Sequence, residues 1–179
     1  MNYIFFDVDG VLNGTNEYGI WIDEYVQESK VKLLIMLAKE TNSKLVMSST
    51  WRKCWNKNGD LIIPKENSIL LDNLLKNNDC KLYSITPILK YERNEEIKMW
   101  LKNNANSNDN FVCFDDEYGY YIIDDFFKNR FIHTAPSHCN GAYGNGDVVG
   151  LFEHHIEKAK RILLKGKWRK ENYAEKHRG

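Results

Sequence analysis

Apolar residues in this 179-residue chain occur in two alternating kinds of run. Short apolar-rich runs, Tyr3-Ile4-Phe5-Phe6, Lys44-Leu45-Val46-Met47, Lys81 to Ile85 and Phe111-Val112-Cys113-Phe114, read as strands, with Phe131-Ile132-His133-Thr134 as a fifth. Between them the spacing is helical. Val31, Leu33, Leu34, Ile35, Leu37 and Ala38 recur through a segment beginning near Glu24, and Ile69, Leu70, Leu71, Leu74 and Leu75 do so within Asn67 to Asn78. Ile97, Trp100 and Leu101 share one face of Arg93 to Lys102, and a last helix runs from about Leu151 to Leu164 after a Gly-rich loop, Gly141 to Gly150. Strands alternating with helices predict an α/β fold, a mainly parallel sheet with helices on both faces. Gly14 to Asp23, polar around an Ile-Trp-Ile centre, predicts a small hairpin or flap, and Trp51 to Leu61 is irregular.

The polar residues at the strand ends change this picture from a scaffold to a site. The first strand stops at Asp7-Val8-Asp9-Gly10, the second at Ser48-Ser49-Thr50-Trp51-Arg52 and the fourth at Asp115-Asp116-Glu117. Carboxylates at the end of a core strand are costly unless a cation, a proton or hydrogen bonds compensate them. Asp beside Gly also caps ordinary turns, so on its own the first stretch admits either reading. In parallel α/β sheets, however, ligands bind at the carboxyl ends of the strands, and all three clusters fall there.

Composition narrows the class only slightly. The length suits one domain, expected over residues 1–165, with a basic tail over 166–179. Basic and acidic residues balance at 25 each, but Lys158 to Gly179 holds nine Lys/Arg against two Glu. That tail reads either as a phosphate-backbone contact, with Trp168 and Tyr173 among its charges, or as a solvated terminus. The four cysteines form no C-x-x-C pair and no leader precedes the first strand, which predicts reduced thiols in a cytoplasmic protein. No apolar run is long enough to span a bilayer, and no protein partner is evident. The spacing of His133, His138, Cys139, His154 and His155 matches no common zinc site.

Asp7-Val8-Asp9-Gly10-Val11-Leu12, strand-terminal Ser48, a basic residue at a helix start and strand-terminal Asp115-Asp116 together resemble the four motifs of the haloacid dehalogenase (HAD) superfamily. Ser48-Ser49-Thr50-Trp51-Arg52, Thr86-Pro87, Arg93-x-x-Glu96-Ile97 and Trp100-Leu101 are similar to the branch found in Swiss-army-knife RNA-repair proteins and polynucleotide phosphatases. The resemblance implies a Rossmann-like three-layer sandwich and a phosphomonoester hydrolase using Mg²⁺. Asp7 would be the nucleophile and Asp9 the general acid and base. Ser48, or Ser49 if the strand ends one residue later, would bind the phosphoryl group together with Arg93 or its rival Lys90. Asp7, Asp9, Asp115 and Asp116 would surround the metal, Asp9 through its carbonyl. Arg52 and Trp51 follow the hydroxyl strand and are expected at the rim, as substrate contacts or as packing.

The resemblance also places specificity-giving caps after the first motif or between the second and third. Residues 13–23 leave room only for a flap, and 53–86 are nearly filled by a helix and a strand, so the expected site is open and without a large cap. Openness favours a phosphorylated RNA or DNA end over a buried metabolite. Two alternatives stay open, an idle module binding phosphorylated RNA or a protein, and a phosphatase for phosphoproteins or small nucleotides.

Overall fold

The computed structural model describes residues 1–22, 25–89, 92–122 and 124–165. Lys90 and the basic tail, on which two of the expectations rest, lie outside these residues. In chain order the elements are β1 (Asn2–Phe6), β2 (Gly14–Thr15), β3 (Trp21–Ile22), α1 (Glu28–Glu40), β4 (Ser43–Met47), a 3-10 turn (Thr50–Cys54) and α2 (Glu66–Lys76). They continue with β5 (Leu82–Ile85), α3 (Arg93–Asn104), β6 (Asn110–Asp115), α4 (Gly119–Ile122), β7 (Phe131–His133) and α5 (Glu153–Lys165).

The five predicted strands form one parallel sheet in the order β5-β4-β1-β6-β7. The chain first winds outward from β1 through β4 to β5, then returns to the other side of β1 with β6. The strand order reverses between β1 and β6, and a crevice opens at the carboxyl ends of such a pair. Phe6 pairs with Met47 on one side and Phe114 on the other, so Asp7, Ser48 and Asp115 leave the sheet side by side.

Tyr3, Ile4, Phe5 and Phe6 are all buried because β1 is central and covered on both faces. Ile4 and Phe6 join Leu34, Leu45, Leu71, Val112, Ile156 and Ala159 on the face covered by α1, α2 and α5. Tyr3 and Phe5 join Ile97, Trp100, Phe111, Tyr121 and Phe127 on the face covered by α3 and α4. There Trp100 meets Tyr3 and Phe5 edge-on, at centroid distances of 5.0 and 5.3 Å, and its Nε1 donates to Ser84 Oγ at 3.0 Å. Such pairs add about 0.5–1.5 kcal/mol each beyond simple burial, which holds the sheet rigid beneath its polar ends.

Helix α1 begins four residues later than its apolar spacing predicts. Gln27 is tied to the loop after β1, its N donating to Leu12 O at 2.8 Å and its Nε2 to Gly14 O at 3.0 Å, so the chain turns into the helix only beyond it. The predicted flap is the antiparallel hairpin β2–β3. Among the described residues no cap domain interrupts the sandwich, and no helix is long and apolar enough to cross a membrane. The four cysteines are free.

Candidate active site

The site begins where β1 runs out of backbone partners. Asp7 N donates to Phe114 O at 3.0 Å, continuing the sheet by one residue, while the Asp7 Oδ1 accepts from Val8 N at 2.7 Å. The chain then turns at Gly10, whose φ of +68° belongs to glycine. Space demands glycine as well, because a Cβ there would lie 2.4 Å from Asp116 Cγ and 2.7 Å from the Tyr143 hydroxyl. The turn is pinned by Asn13 Oδ1, which accepts from Gly10 N at 2.7 Å, and by Thr134 Oγ1, which donates to Gly10 O at 2.7 Å. Asp7 is thereby buried in the floor of a cleft of about 340 Å³, and Asp9 stands exposed at its edge.

Asp7, Asp115 and Asp116 converge, with one oxygen from each within 4.8 Å of the others. Asp115 is fully buried, and Tyr121 OH donates to its Oδ2 at 2.9 Å. Asp116 accepts from the Tyr143 hydroxyl. Arg93, in the first turn of α3, donates through Nη1 to Asp7 Oδ2 and, at 2.6 Å, to Asp115 Oδ2. Burial works against the guanidinium charge, but Asp115 and Asp7 outweigh it and hold Arg93 firmly protonated. Among the described residues, Arg93 is the one cation in contact with this group of three carboxylates. Burial, and then the charge of Asp7, push Asp115 up to about 7 against the pull of Arg93. Burial pushes Asp116 up to about 6, with the Tyr143 hydrogen bond acting in the opposite direction. A buried set of hard oxygen donors with surplus negative charge fits a small divalent cation such as Mg²⁺.

The Asp9 carboxylate points away from this cluster. Its Oδ2 accepts from Trp51 Nε1 at 2.9 Å and its Oδ1 from Asn13 Nδ2 at 2.9 Å. Trp51 therefore belongs to the site through Asp9. Ser48 is buried beside Asp7 at the end of β4, whereas the Ser49 hydroxyl caps the 3-10 turn by accepting from Trp51 N at 3.3 Å. Of the two candidate basic residues, Arg93 reaches Asp7 and Asp115 from the start of α3, and Lys90 lies outside the described residues.

Arg52 does not stand at the rim. Its guanidinium is buried, paired with Glu96 at 2.5 Å, and donates to Ser48 O at 2.6 Å and Ser49 O at 2.9 Å. The expectation of a substrate contact is corrected to an internal staple that fixes the end of β4 to α3. The reason is the 3-10 turn, which swings residue 52 back under the strand and leaves the Trp51 indole N–H on Asp9.

Tyr121, Tyr143, Asn13 and Trp21 were missed by sequence reading. Tyr143 lies in the Gly-rich loop and Trp21 on the hairpin, so an aromatic residue inside each irregular segment was the available signal. A second group, His138, Cys139 and Asp147, also brings its ligand atoms within 4.8 Å, but its members satisfy one another: His138 Nε2 lies 3.0 Å from Asp147 Oδ1 and Cys139 Sγ donates to Oδ2 at 3.2 Å.

Residues 3–139 match the family described as the HAD domain in Swiss Army Knife RNA repair proteins. The chain belongs to that family. No curated protein matches it, and no solved structure does. The matched span of this HAD domain runs from β1 through β7 and includes Asp7, Asp9, Ser48, Arg93, Asp115 and Asp116, with Tyr143 beyond it. Membership in that family implies a phosphatase-type hydrolase domain.

Proposed function

We propose that this HAD domain is a Mg²⁺-dependent phosphomonoesterase that works through an aspartyl-phosphate on Asp7 and acts on phosphorylated nucleic-acid ends or nucleotides. The observation that carries this reading is the seating of Asp7, at the end of the central strand, under Arg93 and beside Asp115 and Asp116, on the floor of an open cleft.

Asp7 attacks phosphorus in line with the leaving oxygen. The phosphorus–oxygen ester bond breaks, and Asp9 gives its proton to the departing alkoxide. Asp9 then takes a proton from water, the resulting hydroxide attacks the phosphorus of the aspartyl-phosphate, and the bond to Asp7 breaks to release inorganic phosphate. Trp51 and Asn13 hold the Asp9 carboxylate at the cleft edge, where leaving group and water arrive. Arg93 and Ser48 take the non-transferring phosphoryl oxygens, Arg93 exchanging its present carboxylate partners for substrate. Mg²⁺, held by the carboxylates of Asp7, Asp115 and Asp116 and the Asp9 carbonyl, would neutralise the charge that two anions bring together.

The substrate class rests on the open site and on the family. With a two-stranded hairpin in place of a cap, a chain end enters without being enclosed. Phosphate release is to be measured from matched 3′- and 5′-phosphorylated oligonucleotides, mononucleotides and phosphopeptides, with Mg²⁺ or EDTA. The expected result is release from oligonucleotide ends that EDTA and Asp7→Asn abolish. Robust metal-independent turnover, or a preference for phosphopeptides, would overturn the reading.

A further inference from the structure

The cleft has an aromatic wall that the phosphoryl-transfer chemistry leaves unused. Hairpin β2–β3 lays Trp21 on Tyr143, with ring centroids 6.0 Å apart and planes 23° from parallel, and Tyr143 in turn donates to Asp116. Trp21 nonetheless stays 49% exposed, although burying a ring of that size is favourable. The wall is well anchored. Thr15 N donates to Val149 O at 3.0 Å, Val149 N donates to Thr15 Oγ1 at 2.8 Å, and a Cβ on Gly19 would come within 2.4 Å of the Gly146 main chain. Hairpin and Gly-rich loop are therefore tied together, presenting an indole to the cleft that also holds Asp7, Asp9 and Arg93.

What such a wall can receive follows from its surroundings. Among the described residues, Asp9, Asp116 and Glu117 line the same cleft, Arg93 is assigned to the reacting phosphate and Arg52 is turned inward, so a second backbone phosphate would meet carboxylates there. A neutral planar group meets no such penalty. The cleft, at about 340 Å³, lies at the small end of ligand sites, with room for one nucleotide unit and not for a duplex.

We propose that Trp21, backed by Tyr143, is a nucleobase platform: the base of the phosphorylated terminal nucleotide stacks on the indole while its phosphate reaches Asp7. Stacking tolerates every base because each has a π-face, so the platform selects for the presence of a base and not for its identity. Because Tyr143 also holds Asp116, a seated base and the carboxylate cluster are joined through one side chain. For turnover the proposal rests on the phosphatase reading above; for binding it does not.

The test compares kcat/KM on oligonucleotides whose phosphorylated terminal nucleotide carries a base or is abasic, in wild type, Trp21→Phe and Trp21→Ala. Wild type is expected to favour the base-bearing end by about tenfold or more, the scale of one aromatic–base contact. Trp21→Phe keeps most of that preference, and Trp21→Ala brings the ratio near one through a higher KM. A wild-type ratio near one, an unchanged ratio in Trp21→Ala, or a stronger preference for a phosphotyrosine peptide would overturn the proposal. A second arm needs no turnover. In Asp7→Asn, adenosine monophosphate should quench tryptophan fluorescence at concentrations where ribose 5-phosphate does not, and Trp21→Phe should remove the signal. Equal quenching by both compounds, or quenching that survives Trp21→Phe, would overturn the platform. Base-specific quenching without phosphate release would sink the phosphatase reading and leave the platform standing.

Discussion

Trp51 Nε1 donates a 2.9 Å hydrogen bond to Oδ2 of Asp9, joining the end of β4 to the turn after β1. The carboxylate proposed as acid and base thus takes its orientation from a neighbouring strand end. Removing the donor while keeping an aromatic ring isolates this contribution. Trp51→Phe should lower kcat by about tenfold, the worth of one hydrogen bond to a charged group, and change KM much less. Steady-state kinetics with a phosphorylated oligonucleotide checks the split; a change confined to KM would make Trp51 a substrate contact instead.

Gly10 is required for space as well as for its backbone angle, since a Cβ there would collide with Asp116 and Tyr143. Gly10→Ala should remain folded by circular dichroism while losing at least a hundredfold in activity, because Asp116 is displaced. Its stability loss should exceed the about 1 kcal/mol of the positive φ, because the buried Asp116 side chain must also shift. Activity and urea denaturation on one preparation read both.

The buried Arg52–Glu96 pair predicts the reverse pattern. Removing one partner strands the other charge, so Arg52→Ala and Glu96→Ala should each destabilise by about 3–5 kcal/mol. Any loss of activity should follow the unfolded fraction. Urea midpoints for the single and double variants form a cycle, and near-additive losses would contradict a direct pair.

His155 sets an acid limit on stability. Burial, then the nearby His154, Lys158, Lys30 and His133, lower its pKa from 6.5 to about 3, and its Nδ1 accepts from Phe152 N at 3.2 Å, which requires the neutral ring. As pH falls below 6.5 the unfolded chain takes up a proton that the folded protein refuses. His155 should therefore cost more stability as pH falls from 6.5 toward 3, against the opposite contribution of Asp115 and Asp116, and wild type should lose ground to His155→Gln over that range in urea titrations run pH by pH.

The five strands and four long helices were legible because β1, β4 and β6 are buried on both faces and read as continuous apolar runs. The convergence of Asp7, Ser48 and Asp115 followed from parallel topology alone, since equal registers bring strand ends together. Helix α4 was not legible: Gly119–Ile122 spans a single turn, too short to carry a period. The direction of Arg52 was not legible either, because the 3-10 turn that reverses it has no apolar repeat. Tyr143 reaches Asp116 across 27 residues of chain, a contact made by a loop that no strand or helix pattern fixes.

The central claim is that Asp7 becomes covalently phosphorylated. The most direct measurement is mass spectrometry of the protein quenched in acid during turnover of a phosphorylated oligonucleotide with Mg²⁺. A phosphoryl adduct on the peptide containing Asp7, absent from Asp7→Asn and from EDTA-treated protein, is the predicted result. Steady phosphate release with no adduct on Asp7, or release undiminished in Asp7→Asn, would contradict it.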